Sequence, residues 1–249
     1  MKNKETCFET LPKRNEILLV IDEVRNYLHP GYFERMRCSE EKYRQAKINK
    51  IRKLYKKYVC FNTVDGFLAS LDKLESDLKQ DLDFFMDSDP AISSEEEVII
   101  SYPGYLAITF YRIAHIMYEL GVQYVPRIIT EAAHSKTGID IHPAAKIGVP
   151  FFIDHGTGIV IGETSEVGNY VKMYHGVTLG ALSLSGGAKL KGTKRHPTIK
   201  NYVTLYAGAS ILGGETIIED RVTIGSNVFI VNSVIKDSTI VYSQDNLKK

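Results

Sequence analysis

The side chains best suited to chemistry in this 249-residue chain are concentrated in residues 139–164. Two aspartates and two histidines occur there, at Asp140, His142, Asp154 and His155. An imidazole titrates near neutral pH and can take a proton from a weak nucleophile. A nearby carboxylate can fix the tautomer of that imidazole and stabilise the imidazolium that forms. The segment therefore predicts a histidine general base with an acidic partner.

Aliphatic residues of the same segment recur at every sixth position, at Ile141, Ile147 and Ile153. Neither a helix nor an ordinary strand has this period. After a two-residue slip the series continues at Ile161, Val167, Met173 and Leu179, and it returns at Tyr206, Leu212, Ile218, Ile224 and Ile230, with Thr204 and Ser210 among the smaller interleaved residues. Such a repeat predicts a parallel β-helix whose triangular coils hold about 18 residues each, with the aliphatic positions facing inward.

The sequence before the repeat has a helical pattern. The spacing of apolar residues predicts helices over residues 15–28, 39–59, 65–86, 103–121 and about 124–135, with Ser39 as an N-cap. We therefore expect an α+β chain with an all-α domain over residues 1–137, a β-helix over 138–240 and a tail over 241–249. A non-repeating segment, about 181–197, predicts a loop that protrudes from the β-helix.

Bulk composition points to neither nucleic acid nor a membrane, because the formal net charge is only +1 and no apolar run is long enough to cross a bilayer. The charged first residues lead into no apolar signal segment. Three widely spaced cysteines, Cys7, Cys38 and Cys60, favour reduced thiols over a disulfide framework. We expect a cytoplasmic protein.

His155 is the preferred candidate for the base. It follows Asp154 directly and takes a repeat position normally given to a small, outward residue, so its ring should project from the wall. Asp140 lies 15 residues earlier, which is close to the length of one coil, so the two side chains are expected to be neighbours on stacked coils.

Several short segments resemble one enzyme family. "DIHPAAKIG", "DHGTGIVIGET", "GVTLG" and "GTKRHPTI", with Asp89-Pro90 upstream, resemble serine O-acetyltransferase, a hexapeptide-repeat acyltransferase with a left-handed β-helix. The resemblance spans roughly residues 85–235. It implies transfer of acetyl from acetyl-CoA to the hydroxyl of L-serine, giving O-acetylserine and CoA in cysteine biosynthesis. It also implies a homotrimer with sites between neighbouring β-helices, or a dimer of trimers.

The resemblance assigns roles to individual residues. It gives His155 and Asp140 as the catalytic pair and implies that the zwitterionic substrate is bound by Asp89, Asp154, Glu163, Arg195 and His196. Small residues along a coil edge should admit acetyl-CoA, and the candidates are Gly180, Ala181, Ala207, Gly208 and Thr223. Lys189, Lys191 and Lys194 could attract the CoA phosphates. The reaction needs no metal, because a thioester already has a good leaving group.

Two departures limit what the resemblance implies. The last residues, "SQDNLKK", lack the terminal isoleucine with which many members dock into O-acetylserine sulfhydrylase, so docking by that route is doubtful. The "GVPAR" segment that usually follows the last coil is also missing, which puts part of the CoA site in doubt. Inhibition by L-cysteine is expected, because cysteine carries the same zwitterionic head as serine.

Three alternatives stay open at this point. A related acyltransferase for a sugar, an antibiotic or another amino-acid alcohol would keep the same base. A zinc hydratase similar to the γ-class carbonic anhydrases would need three converging histidines, two of them close in sequence, whereas His142, His155, His175 and His196 include no closely spaced pair. A non-catalytic scaffold could keep the repeat alone, but it would not need Asp140, His155, Arg195 and His196.

Overall fold

The structure is a computed structural model that describes residues 12–183 and 186–242, without the side chains of residues 188 and 189. Within these residues, helices come first and short parallel strands follow. The helices are α1 (Arg14–Leu28), α2 (Glu40–Tyr58), α3 (Val64–Ala69), α4 (Leu71–Ser88), α5 (Glu95–Ser101), α6 (Pro103–Glu119) and α7 (Val125–Thr137). No helix of the described ranges combines the length and the apolar character that crossing a bilayer would require.

Two helical segments differ from the prediction. The single helix expected over residues 65–86 is divided between α3 and α4, because the Ser70 hydroxyl and amide donate to the carbonyl of Phe67 at 2.6 and 3.1 Å and close a tight turn. Helix α5 was not predicted. Its N-cap is Ser94, which accepts a hydrogen bond from the Glu97 amide at 3.3 Å. A serine followed three residues later by glutamate is a known sequence signature of a helix start.

The strands form the three faces of a left-handed parallel β-helix. The first sheet has the order β1-β4-β7-β10-β13, the second β11-β8-β5-β2 and the third β14-β12-β9-β6-β3. The strands are β1 (Asp140–Ile141), β2 (Lys146–Ile147), β3 (Phe151–Asp154), β4 (Val160–Ile161), β5 (Glu166–Val167), β6 (Val171–Tyr174), β7 (Thr178–Gly180), β8 (Thr198–Ile199), β9 (Thr204–Leu205), β10 (Ser210–Leu212), β11 (Ile217–Ile218), β12 (Thr223–Ile224), β13 (Phe229–Ile230) and β14 (Thr239–Ile240).

The inward aliphatic side chains form the core of the β-helix. Ile141 pairs in register with Ile161, and Ile161 pairs in turn with Leu179. The step from Ile141 to Ile161 is two residues longer than the step from Ile161 to Leu179, because it contains the slip seen in the sequence. All three side chains are buried, and burying an aliphatic side chain of this size contributes roughly 1.5–3 kcal/mol.

The predicted phase of the repeat is wrong by one residue in the coil after the loop. Leu205 and Ile211 are fully buried, whereas Tyr206 is 40% exposed. Likewise Val203 and Ala209, rather than Thr204 and Ser210, are the small buried residues. The cause is one additional residue at the corner around Gly213, which lies within the register step from Ile199 to Ile218. A count of six residues back from Ile218 therefore gives Leu212 and Tyr206, each one position after the residue that is buried.

The predicted loop leaves the β-helix after β7 and returns at β8, so the register step from Val167 to Ile199 is much longer than a regular coil. Its described part includes a short 3₁₀ helix, Gly187–Leu190. The predicted tail lies outside the described residues from 243 onward.

Cys38 is an exposed free thiol, as expected, but Cys60 is disulfide-bonded, so the prediction of a reduced thiol is wrong there.

A buried ion pair joins the helices to the first coil. Arg112 of α6 donates to both carboxylate oxygens of Asp81 in α4, at 2.5 and 2.8 Å, and to the carbonyl of Gly148 at 3.0 Å. Asp81 also accepts the amide of Phe151 at 2.9 Å. The Asp81 side chain is fully buried and that of Arg112 is 7% exposed. These bonds fix β3 relative to α4. The candidate site residue Asp154 ends β3, and the candidate Asp89 directly follows α4.

Replacement of Arg112 by methionine should strongly destabilise the protein. The change leaves Asp81 buried without its counter-charge, a situation that typically costs about 3–5 kcal/mol. Urea unfolding followed by circular dichroism measures the loss. Arg221→Met, which removes an exposed partner of Asp237, is the control and should unfold near the wild-type midpoint. An Arg112→Met midpoint equal to that of wild type would contradict the role of this pair.

Candidate active site

One group of polar side chains surrounds the end of β3. We refer to Asp89, Tyr102, Asp154, His155, Tyr174 and His175 as the acidic corner. Asp154 ends β3, and its register partner Tyr174 ends β6 one coil away. Asp89 follows α4 directly and approaches from the helical side. The pKa of Tyr102 is raised to about 12 by burial, by its hydrogen bond to Asp89 and by the charges of Asp89, Glu97 and Asp154, so both aspartates act on one phenol.

His155 projects from the corner after β3. Its backbone is left-handed, with φ of 57°, a conformation that costs a residue with a Cβ roughly 1–3 kcal/mol. Its side chain is 72% exposed and its Nε2 lies 3.6 Å from Asp154 Oδ1. The corner around His155 contains the two additional residues of the longer step from Ile141 to Ile161. The slip in the repeat therefore coincides with the corner that carries this imidazole.

Tyr102 fixes the carboxylate of Asp89. The tyrosine hydroxyl donates to Oδ2 at 3.1 Å, and the Ala91 amide donates to Oδ1 at 2.8 Å. Tyr102 directly precedes α6, whose start packs tightly on β3. A Cβ on Gly104 would lie 2.4 Å from the Ile153 carbonyl oxygen, so only glycine permits this approach. The helical part thus brings Asp89 to the end of β3.

A second group lies at the corner after β4. We refer to His142, Glu163, Arg195 and His196 as the arginine corner. Arg195 Nη2 donates to Glu163 Oε2, and this hydrogen bond lowers the pKa of Glu163 more than its partial burial raises it. Arg195 Nη1 is buried and has no hydrogen-bond partner among the described residues. Glu163 therefore holds one end of the guanidinium in place.

His196 is held as a neutral imidazole. Its Nδ1 accepts the Thr164 amide at 3.0 Å, while the Thr164 hydroxyl oxygen accepts the amides of Arg195 and His196. Burial, helped by the charge of Arg195, lowers the pKa of His196 to about 4. A Cβ on Gly162 would lie 2.1 Å from the ring, so a glycine is required there. The neutral tautomer leaves Nε2–H as a donor.

Asp140 lies in β1 and contacts the helical part. Its carboxylate accepts a hydrogen bond from Arg127 at 3.3 Å, and Val160 is its register neighbour on the next coil. In the described part of one chain, no hydrogen bond or ion pair joins Asp140 to His155. The stacked-coil argument therefore does not bring the pair together within one chain, because Asp140 stacks on Val160 while His155 lies at the corner before β4.

Asp140 also belongs to a group with metal-binding residue types. Its ligand atoms lie within 4.8 Å of those of Glu131 and His134. Arg127 forms ion pairs with Glu131 and Asp140, so a fixed cation already occupies the space between these carboxylates. This charge makes the group a poor match for a further cation.

The candidates for CoA binding lie one coil beyond both corners. Gly180 ends β7 directly above Gly162, and Ala181 follows it. Ala207 and Gly208 lie above His175, whose carbonyl accepts the Gly208 amide at 2.9 Å. Thr223 begins β12, which lies two strands beyond β6 in the third sheet. Lys191 is exposed, Lys194 donates to the Thr164 carbonyl at 2.7 Å, and the side chain of Lys189 lies outside the described residues.

The two corners flank the same face of the β-helix. The acidic corner precedes the first sheet at β4, and the arginine corner follows it. Within the described residues, no hydrogen bond or ion pair links the two groups. One chain therefore presents a base with two carboxylates at one edge of a sheet and an arginine with a neutral imidazole at the other.

Comparisons with known proteins identify the family. A plasmid serine acetyltransferase of Synechococcus elongatus is 39% identical over 267 residues, covering 95% of this chain and 83% of the relative. This chain belongs to the serine acetyltransferase family. The serine acetyltransferase of Bacillus subtilis is 46% identical over 164 residues, covering 66% of this chain and 72% of that protein. No family model matches the sequence.

Solved structures agree with this assignment. Entamoeba histolytica serine acetyltransferase 1 in complex with L-cysteine has a TM-score of 0.80 at 34% identity, covering 94% of this chain and 88% of that one. The serine acetyltransferase of Neisseria gonorrhoeae in complex with serine has a TM-score of 0.67 at 27% identity, covering 94% and 83%. As a member of the serine acetyltransferase family, the chain is an acyltransferase with a left-handed β-helix.

Sequence reasoning missed two residues of the acidic corner, Tyr102 and His175. Tyr102 gave no signal, because its importance comes from a contact with Asp89 that only the packing of α4 against α6 creates. His175 is not among the site residues predicted from the sequence, yet its ring centroid lies 5.6 Å from that of His155. The two histidines directly follow the register partners Asp154 and Tyr174, and this equivalence in the repeat could have revealed the pair.

The depressed pKa of His196 predicts a loss of stability in acid. Its pKa is about 4 in the folded chain and near 6.5 when unfolded, so acidification through this window protonates the unfolded chain first and favours it. Thermal unfolding at pH 7 and pH 5 should show a smaller acid destabilisation for His196→Asn than for wild type. Tyr202→Phe, which keeps every histidine, should follow wild type. An unchanged pH dependence in His196→Asn would contradict the assignment.

Proposed function

We propose that this enzyme transfers the acetyl group of acetyl-CoA to the hydroxyl of L-serine, giving O-acetylserine and CoA in cysteine biosynthesis. The observation that carries the proposal is the division of charge around one face: an imidazole with two carboxylates at one edge, and an arginine with a neutral imidazole at the other. This is the charge pattern that a small amino acid with a reactive hydroxyl requires. A cytoplasmic location stays a prediction.

The substrate ammonium group would bind Asp89 and Asp154, and the substrate carboxylate would bind the Arg195 guanidinium and His196 Nε2. Charge-assisted hydrogen bonds of this kind are the strong ones, and Arg195 is held by Glu163 in the orientation they need. Because His196 is neutral, it contributes a donor without titrating near pH 7. The Neisseria gonorrhoeae relative was solved with serine bound, which supports serine as the acceptor.

His155 would act as the general base. Its imidazole accepts the proton of the serine hydroxyl as the oxygen attacks the thioester carbonyl carbon. The tetrahedral intermediate then collapses, the C–S bond breaks, and the imidazolium returns its proton to the departing CoA thiolate. A carboxylate beside the imidazolium stabilises it, and Asp154 lies 3.6 Å away in the same chain.

A second copy of the chain is needed to complete this site. The two corners lie at opposite edges of one sheet face, so one small substrate can bridge them only if the acidic corner of one copy meets the arginine corner of another. This arrangement supports the expected homotrimer, alone or as a dimer of trimers. It also offers His155 an Asp140 from the neighbouring copy, and we retain Asp140 as the proposed catalytic partner on that basis.

Acetyl-CoA would bind along the coils beyond the substrate. Gly180, Ala181, Ala207 and Gly208 follow the two corners by one coil, and small residues there let the pantetheine arm approach the backbone. Thr223 stays a weaker candidate because it lies two strands beyond β6, and the exposed Lys191 would meet phosphate groups. No step of this reaction uses a metal.

L-Cysteine would compete at the same corners. It has the ammonium and carboxylate groups of serine, and relatives such as Entamoeba histolytica serine acetyltransferase 1 were solved with L-cysteine. Residues 243–249, on which docking to O-acetylserine sulfhydrylase would depend, lie outside those that the structure describes.

Release of CoA thiol from acetyl-CoA tests the proposed function. Turnover should require L-serine and be far slower with L-homoserine, a galactoside or no acceptor. His155→Asn should lower kcat by roughly 10²–10⁴-fold with the fold intact, because general-base catalysis contributes about that much. Lys53→Ala, on the exposed face of α2, is the control. Equal turnover without serine would reject the acceptor, and near-normal turnover in His155→Asn would reject the base.

A further inference from the structure

His155 and His175 form a pair of imidazoles on successive coils. Asp154 and Tyr174 are register partners, and each is followed directly by one of the two histidines. The ring centroids lie 5.6 Å apart and the ring planes meet at 68°. This separation is close to the spacing of about 4.8 Å between neighbouring strands. Both residues are exposed on the outer surface of the β-helix.

His175 lies between the two substrate regions of the proposed function, on which this inference rests. On one side, His155 and Asp154 belong to the serine region. On the other side, the His175 carbonyl accepts the Gly208 amide at 2.9 Å, so Ala207 and Gly208 of the CoA region are its neighbours on the next coil. A thioester that reaches from the CoA region to a serine at His155 must therefore pass the level of His175.

The distances of the reaction agree with this position. A hydroxyl bound to His155 lies about 2.8 Å from the ring nitrogen, and an attacking atom approaches the carbonyl carbon to about 3–3.5 Å. The carbonyl oxygen extends about 1.2 Å further from that carbon. The oxygen is therefore several ångströms from His155, which is the range that a ring centred 5.6 Å away can reach.

The chemistry requires a donor there, and His175 can supply one. Negative charge develops on the carbonyl oxygen in the tetrahedral intermediate, and a fixed N–H stabilises it. No hydrogen bond or ion pair within the described ranges engages the ring nitrogens of His175. A neutral imidazole carries one N–H donor, and a ring at this position can direct it to the carbonyl oxygen.

We propose that the imidazole N–H of His175 donates a hydrogen bond to the thioester carbonyl oxygen and stabilises the oxyanion of the tetrahedral intermediate. His175 is then a catalytic residue that transfers no proton. The electron pair of the attacking serine oxygen forms the new C–O bond, the carbonyl π pair moves to the oxygen bound by His175, and it returns as the C–S bond breaks.

Two substitutions separate a donor from a ring that only supports His155. His175→Gln keeps an N–H at similar reach without a ring, and His175→Phe keeps a ring without an N–H. In the acetyl-CoA and L-serine assay, we expect kcat to fall by about 10²–10³-fold in His175→Phe, the usual effect of losing one oxyanion donor. We expect less than about a tenfold fall in His175→Gln, with little change in either KM.

The controls keep the result interpretable. Circular dichroism and sedimentation must show wild-type folding and assembly, and Tyr202→Phe, a corner substitution outside both groups, should keep wild-type kinetics. Normal kcat in His175→Phe, or equal losses in both His175 variants, would overturn the assignment. The wild-type rate with L-serine in the same assay reports on the proposed function separately, because it does not depend on how the two variants differ.

Discussion

The inward position of one aliphatic side chain in every six residues is the constraint on which the whole structure depends. Ile141, Ile161 and Leu179 stack along one face because only a triangular coil buries residues with this period. In such a coil, polar side chains can lie only on the outer faces of the sheets and at the corners. Both corners of the proposed site flank the first sheet, so the same winding that buries the core also determines where charge can be presented.

The helical part supplies what the β-helix cannot. A corner offers one or two outward side chains per coil, which is too few to bind a zwitterion, activate a hydroxyl and admit a thioester. The buried Asp81–Arg112 pair fixes α4 against β3, and Tyr102 then fixes Asp89 beside Asp154. The stability of the domain junction and the geometry of the acidic corner are therefore linked, because Asp81 and Asp89 both belong to the C-terminal half of α4 or directly follow it.

Much of the fold could be predicted because periodicity follows directly from burial. The prediction failed where a local residue count changed: the corner around Gly213 shifts the phase of Leu205 and Ile211, which a count in sixes cannot detect. Site residues with a distinctive type and motif, such as His155 and Arg195, could be selected from the sequence. Contacts made by distant elements, such as Tyr102 with Asp89, could not, since sequence separation contains no information on their distance.

The central claim is that two copies of the chain share each site. Co-expression of His155→Ala with Arg195→Ala tests it most directly, because each variant alone damages every site, while mixed assemblies contain interfaces with both corners intact. Random assortment of chains should then restore roughly a quarter of the wild-type sites. The matched mixture of His155→Ala with Asp154→Ala, both in the acidic corner, should restore none. Absence of any recovery in the first mixture, with mixed assemblies demonstrated, would contradict a shared site.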